Sequence, residues 1–191
     1  MFDRLLQWDR DTFIYLNALG IDDYDVLWTT ITHFTTWIPL FLLMIALFFI
    51  KFERKLAFQM VLTVLALALF VAILTSVSKE VVQRLRPNNN EALNGLIRIL
   101  QRPTDFSFFS GHASSSFSIT VLVVLFLFKR WKWAVLFFVW PLLFSLSRIF
   151  VGVHFPLDII AGALVGTTCG LLGFMVYNRF IAPYSKSDHP E

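Results

Sequence analysis

Charge is what this chain has least of. Asp, Glu, Lys and Arg make up 15% of its 191 residues, against about 25% in soluble globular domains, so an ordinary solvent-exposed surface is excluded. The net charge of +3 is scattered, which leaves out the clustered basic face that nucleic-acid binding requires. A single cysteine, Cys169, excludes an intramolecular disulfide, and its apolar surroundings suit packing. No basic n-region with a short apolar core and cleavage site opens the chain: residues 1–25 mix polar and apolar side chains and include six aspartates. A cleaved secretory signal is therefore not expected, and insertion relies on internal apolar segments.

What the chain has in plenty is hydrocarbon. Hydrophobic residues make up 57%, with 22 Phe and 6 Trp, and the mean hydropathy is +0.70, the composition of an integral membrane protein. Tryptophans stand beside basic residues, as in Lys129-Arg130-Trp131-Lys132-Trp133, where a membrane interface places them. Five stretches approach the roughly 20 apolar residues needed to cross about 30 Å of hydrocarbon: 26–50, 56–77, 109–128, 133–147 and 156–180. The fourth is short and is given room to extend through Phe150. Ahead of them, Phe2, Leu5, Leu6, Phe13 and Leu16 recur at helical spacing, which predicts an amphipathic helix lying on the membrane or packed on the bundle. The expected fold is all-α: a polytopic membrane helical bundle of five to six spans, counting that amphipathic or partly embedded N-terminal helix. The expected division is an amphipathic segment 1–25, a transmembrane domain 26–180 and a polar tail 181–191. Within the last span Gly162, Gly166 and Gly170 form a smooth stripe that suits close helix packing. Packing inside the bundle is favoured, and a homo-oligomer contact through the same stripe stays open.

Lys51, Arg54 and Lys55 join the first span to the second, and Lys129, Arg130 and Lys132 join the third to the fourth. The positive-inside rule places both loops, and the tail with Arg179 and Lys186, in the cytoplasm. The Asp-rich N-terminal segment then lies outside.

Three polar clusters interrupt the apolar chain: Lys79 to Pro87, Phe109 to His112, and Ser147 to Asp158. Ionisable groups in a membrane chain are expensive and seldom placed without function. Counting crossings brings all three to one face whichever way the protein is inserted, and the loop charges make that face extracytoplasmic. The face also carries Arg84, Arg86, Arg98, Arg102 and Arg148, against the usual charge bias, which suggests that these cations serve an anionic ligand.

The residue types are those of phosphoryl transfer, which spreads charge over three equatorial oxygens and needs several fixed cations and N–H donors around them. Lys79, Arg86 and Arg148 supply cations, and arginine's planar fork binds phosphate through paired hydrogen bonds. Ser110 and Gly111 precede a helix start, where free backbone N–H groups favour an anion. His154 and Asp158 are four apart and share a helix face, so the carboxylate can fix the imidazole tautomer and leave the other nitrogen free to attack phosphorus. His112, from another span, is placed to protonate the departing oxygen. Each of these has a bland alternative, a snorkelling cation or a structural interface histidine; His33, inside the first span and without a motif, receives that reading. A metal hydrolase would want several converging histidines and carboxylates, and the excess of cations on this face argues against one.

Lys79, six residues, then Arg86-Pro87; Ser110-Gly111-His112; and Ser147-Arg148, five residues, His154, three residues, Asp158 resemble the three-part pattern of the type 2 phosphatidic acid phosphatases, the PAP2 superfamily of membrane lipid phosphatases. The resemblance spans residues 79–158. It implies His154 as the nucleophile that forms a phosphohistidine, Asp158 as its orienting partner, His112 as general acid, and Lys79, Arg86, Ser110, Gly111 and Arg148 as phosphate ligands, with no metal and no cofactor. One departure is visible, since the family usually has proline where this chain has Phe109; altered loop geometry with activity retained is expected. The implied enzyme is a bacterial-type phosphatase of a lipid phosphate or diphosphate, undecaprenyl diphosphate first, at the outer face of the cytoplasmic membrane. Phosphatidylglycerol phosphate, phosphatidic acid and lipid A phosphate remain alternatives as substrates. A phosphotransferase and a non-enzymatic anion-binding bundle remain alternatives as activities.

Overall fold

A computed structural model describes residues 2–183; Lys186 and most of the expected polar tail lie outside the described residues. Among these residues the fold is helical throughout: α1 (Phe2–Ala18), α2 (Asp25–Ile31), α3 (Ile38–Lys51), α4 (Arg54–Val82), α5 (Gly111–Leu127), α6 (Val139–Phe150) and α7 (Pro156–Val176), the last running into a π turn at Tyr177–Ile181. Among the described residues four stretches are long and apolar enough to cross a membrane, Phe34–Lys51, Arg54–Leu93, Lys132–Phe150 and Pro156–Ile181, and Gly111–Leu127 is a shorter apolar helix. Large side chains such as Leu42, Leu62, Phe70 and Leu164 face outward and are more than half or nearly half exposed, as a lipid-facing surface requires.

Two expected spans are not continuous α-helices. The first, expected over 26–50, breaks after α2 at Thr32 and His33 and restarts through a 3-10 turn, Phe34–Trp37. The carbonyls that a continuing helix would use are taken instead by side chains: Thr36 Oγ1 donates to Thr30 O at 2.6 Å and Trp37 Nε1 to Ile31 O at 2.8 Å. Pro39 stands in the first turn of α3, where its missing N–H costs no helical bond. His33 therefore lies in an exposed break rather than inside a span. The fourth, expected from Trp133, begins as a 3-10 run, Lys132–Phe138, and becomes α-helical only at Val139. Pro141 has no N–H to give the Phe137 carbonyl, which removes an α-helical bond there. Its C-terminal end extends to Phe150, as allowed for.

The centre of the bundle is α5 against α7. Gly162, Gly166 and Gly170 are buried against α5, and a Cβ on Gly166 would lie 2.3 Å from the Ser114 carbonyl oxygen. The stripe is thus used for packing within the chain. The α5 serines facing it cause no polar penalty, because Ser114, Ser115, Ser116 and Ser118 donate back to carbonyls of their own helix. An apolar core of Phe48, Leu67, Leu122, Phe126, Phe137, Trp140 and Phe144 fills the middle of the bundle, and a smaller one, Phe13, Leu93, Ile149 and Phe155, joins α1 to the polar end.

Candidate active site

Each polar cluster reaches the site from a helix end. Lys79 lies in the last turn of α4, which Gln83 stops in a left-handed conformation at φ 51°. Arg84 and Arg86 follow on the emerging chain. Ser110 caps α5, accepting from the Ala113 N–H at 3.4 Å, so that His112 enters from the first turn. Arg148 comes from the last turns of α6, and Gly152, at φ 83°, reverses the chain where a Cβ would meet the Arg98 carbonyl oxygen at 2.4 Å. Pro156 opens α7, and Asp158 turns back to accept the Phe155 N–H at 3.0 Å.

His154 is the hub and is 1% exposed. Arg86 Nη1 stands 3.0 Å from its Nε2, and Asp158 Oδ2 stands 3.3 Å from its Nδ1. A guanidinium only donates, so Nε2 is the acceptor and the proton resides on Nδ1, facing the carboxylate. Burial first, and then the charges of Arg86, Arg148 and Lys79, hold the imidazole well below its ordinary pKa of 6.5. The ring is neutral at neutral pH, with its lone pair aimed among cations.

Arg86, 3% exposed, spends its remaining donors on the Val153 carbonyl at 3.1 Å, the Asp105 carbonyl at 2.9 Å and the Asp105 carboxylate at 2.9 and 3.0 Å. Lys79 Nζ reaches the same carboxylate at 2.5 Å. Burial opposes ionisation of Asp105, but hydrogen bonds from Lys79 and Arg86 outweigh it and hold its pKa at about 2. Arg148 is 5% exposed; its Nη1 donates to Thr32 Oγ1 and, at 3.0 Å, to Gln101 Oε1. Its buried Nε has no protein partner. The Arg148 carbonyl also accepts the backbone N–H groups of Val153 and His154, which ties the two ends of the third cluster together. His112 stacks on Phe144, ring centroids 4.5 Å apart, and its Nε2 donates to the Thr32 carbonyl at 3.3 Å. The break between α2 and α3 thus delivers Thr32 to both Arg148 and His112.

The structure therefore joins Arg86, His154 and Asp158 directly, Lys79 through Asp105, and Arg148 and His112 through Thr32. Ser110 joins through its backbone N–H, which donates to the Asp158 carbonyl at 3.0 Å. Gly111 is placed as the first residue of α5, against Thr75. The expectation that all five surface arginines serve a ligand is corrected for two of them. Arg98 is held by Asp22 and Asp25 at 2.6 and 2.8 Å, and Arg84 by Asp9 and Asp158 at 2.5 and 2.7 Å. From sequence Arg84 is only one of several cations on this face, and Asp105, Thr32 and Asp9 do not stand out as site residues. Asp9 carried a signal: it occupies a place in the apolar stripe between Leu5 and Phe13. Among the described residues no cluster of three or more His, Cys, Asp or Glu side chains is placed to hold a metal ion.

The sequence pattern of the PAP2 superfamily matches residues 57–182. The chain belongs to the PAP2 superfamily. This PAP2 protein is 26% identical over 194 aligned residues, covering 100% of its own chain and 85% of the relative, to a lipid A 4'-phosphatase of Bacteroides thetaiotaomicron. It is 36% identical over 142 residues, 73% of the chain and 63% of the relative, to an undecaprenyl-diphosphatase of Sulfolobus acidocaldarius. Its fold superposes with a TM-score of 0.72 on the PAP2 type phosphatidylglycerolphosphate phosphatase of Bacillus subtilis, at 21% identity over 93% of this chain and 88% of that one. The match covers the whole of residues 79–158, on which the resemblance was drawn, and extends over most of the chain. This PAP2 protein is a membrane lipid phosphatase.

Proposed function

We propose that this PAP2 phosphatase hydrolyses a terminal phosphate from a lipid phosphate by way of a phosphohistidine at His154. The observation that carries the reading is the tautomer: Asp158 accepts the Nδ1–H hydrogen bond and Arg86 donates to Nε2, which makes Nε2 a lone-pair nucleophile surrounded by cations. A phosphate that takes over the Arg86 Nη1 donation releases that lone pair. Nε2 then forms the N–P bond as the ester or anhydride P–O bond breaks, and His112 gives its proton to the departing oxygen. Water attacks the phosphohistidine, His112 takes a proton back, the N–P bond breaks and orthophosphate leaves. Lys79, Arg86 and the unpartnered Nε of Arg148 balance the charge on the equatorial oxygens. Ser110 and Gly111 complete the phosphate site from the start of α5. Asp105 already gathers Lys79 and Arg86 as an anion, which supports an anionic ligand in the same place.

Undecaprenyl diphosphate is the leading substrate, supported by the compact chain and by the 36% identity to an undecaprenyl-diphosphatase. A lipid A 4'-phosphate is the second reading, favoured by a relative that aligns over 100% of the chain. The site faces outward from the cytoplasmic membrane, supported by the basic loops at 51–55 and 129–132. Phosphate release across purified undecaprenyl diphosphate, lipid A, phosphatidylglycerol phosphate and phosphatidic acid separates the substrates. His154→Ala is expected to abolish release from every accepted lipid while the protein still inserts. Near-normal turnover in that variant overturns the nucleophile, and transfer of phosphate to an alcohol in place of orthophosphate release overturns hydrolysis.

A further inference from the structure

α1 reads from sequence as an amphipathic helix lying on the membrane or packed on the bundle, and it places a fully buried carboxylate, Asp9 at 0% exposure, beside the catalytic cluster. Asp9 Oδ2 meets Arg84 Nη2 at 2.5 Å, and Arg84 Nη1 meets Asp158 Oδ1 at 2.7 Å. One guanidinium thus bridges the carboxylate that orients His154 and a carboxylate from the far end of the chain. The other Asp9 oxygen accepts the Leu157 N–H at 2.8 Å in the first turn of α7. One turn along α1, Phe13 packs edge-on against Phe155, ring centroids 5.3 Å apart, and the Arg84 guanidinium lies 4.2 Å from the centroid of that same ring. α1 therefore grips the segment from His154 to Asp158 at two points.

We propose that Asp9 is a positioning residue for phosphoryl transfer, acting through Arg84 on the Asp158–His154 pair. The charge balance supports this. Arg84 alone would neutralise Asp158 and weaken its hold on the Nδ1 proton. With Asp9 present the trio of Asp9, Arg84 and Asp158 keeps one net negative charge beside the imidazole, which gains positive character as Nε2 bonds to phosphorus. The same bridge fixes the carboxylate plane, since the Arg84 fork meets a carboxylate at each of its two ends. Asp9 touches no phosphate ligand, so its effect falls on the chemical step and not on substrate binding.

The proposal rests on His154 as nucleophile, which His154→Ala tests separately. The measurement is kcat and KM for phosphate release by the full chain carrying Asp9→Asn, Arg84→Gln and both together. Asp9→Asn is expected to lower kcat roughly tenfold or more, as losses of orienting partners do, with KM within about twofold. Because Asp9 acts through Arg84, the double variant is expected to be no slower than Arg84→Gln alone. Should Asp9→Asn fail to accumulate as folded protein, Asp9→Glu keeps the charge and displaces it by one methylene, and the same fall in kcat at constant KM is expected. Either variant retaining kcat within twofold, or a double variant whose loss is the product of the two single losses, overturns the positioning role; with His154→Ala inactive, the nucleophile assignment is untouched.

Discussion

In the proposed reaction His154 is the nucleophile, and its two ring nitrogens meet opposite partners, a carboxylate at Nδ1 and a guanidinium at Nε2. Burial and three nearby cations favour the neutral ring, so its folded-state pKa lies below the ordinary 6.5. Between those two values the unfolded chain binds more protons than the folded one. This contribution to stability is therefore full above about pH 6.5 and is lost as pH falls toward the folded-state value. The chain has only four histidines, so selective ¹⁵N-histidine NMR can resolve them. At about pH 6 His154 is expected to be neutral with the proton on Nδ1; a cationic ring at that pH would defeat the assignment. Asp105 shows the converse case, a half-exposed carboxylate held at about 2 by Lys79 and Arg86, and it stays an anion throughout the physiological range. Its spacing from the motifs gave no hint of this, since the loop that returns it to Lys79 has no periodicity.

Among the helices, α5 and α7 carry the geometry that the site depends on. Gly166 lets the two backbones approach until a Cβ would stand 2.3 Å from the Ser114 carbonyl oxygen, and backbone cannot step aside as a flexible side chain can. Gly166→Ala is expected to destabilise the protein by about 1–3 kcal/mol, the usual range for overpacking, read as a lower midpoint in reversible denaturant unfolding in detergent. The same change pushes Ser110 away from Asp158, whose carbonyl accepts the Ser110 N–H at 3.0 Å, so activity falls with it. An unaltered midpoint would show that the helices can separate without cost. The stripe itself was legible as spacing, but its partner was not, because small residues every fourth position suit a neighbouring helix and a second copy equally well. The break at Thr32 was hidden for a different reason: hydropathy measures length and apolarity, whereas the break is made by the Thr36 and Trp37 side chains taking the last α2 carbonyls.

Taken whole, the molecule puts all three clusters at one end of the bundle, with α1 and the acidic residues Asp22 and Asp25 fastened to Arg98 at the same end. If that end faces outward, Arg102→Cys in a Cys169→Ser background is expected to react with a membrane-impermeant maleimide on intact cells, and Lys129→Cys is not; the reverse pattern would invert the orientation. The all-helical membrane bundle and the meeting of Lys79, Arg86, His112, Arg148, His154 and Asp158 near one another were legible in the sequence, because hydrophobic length sets crossings and crossings set faces. Only the tertiary structure decided which carboxylates and neutral groups each cation meets. Arg84 and Arg98 look like Arg148 in the sequence; they differ in that Asp9, Asp22, Asp25 and Asp158 are folded against them, whereas the Arg148 Nη1 meets the neutral side chains of Thr32 and Gln101. A charge is legible residue by residue, but its compensation depends on partners more than 70 positions away, and only packing brings those within hydrogen-bond reach.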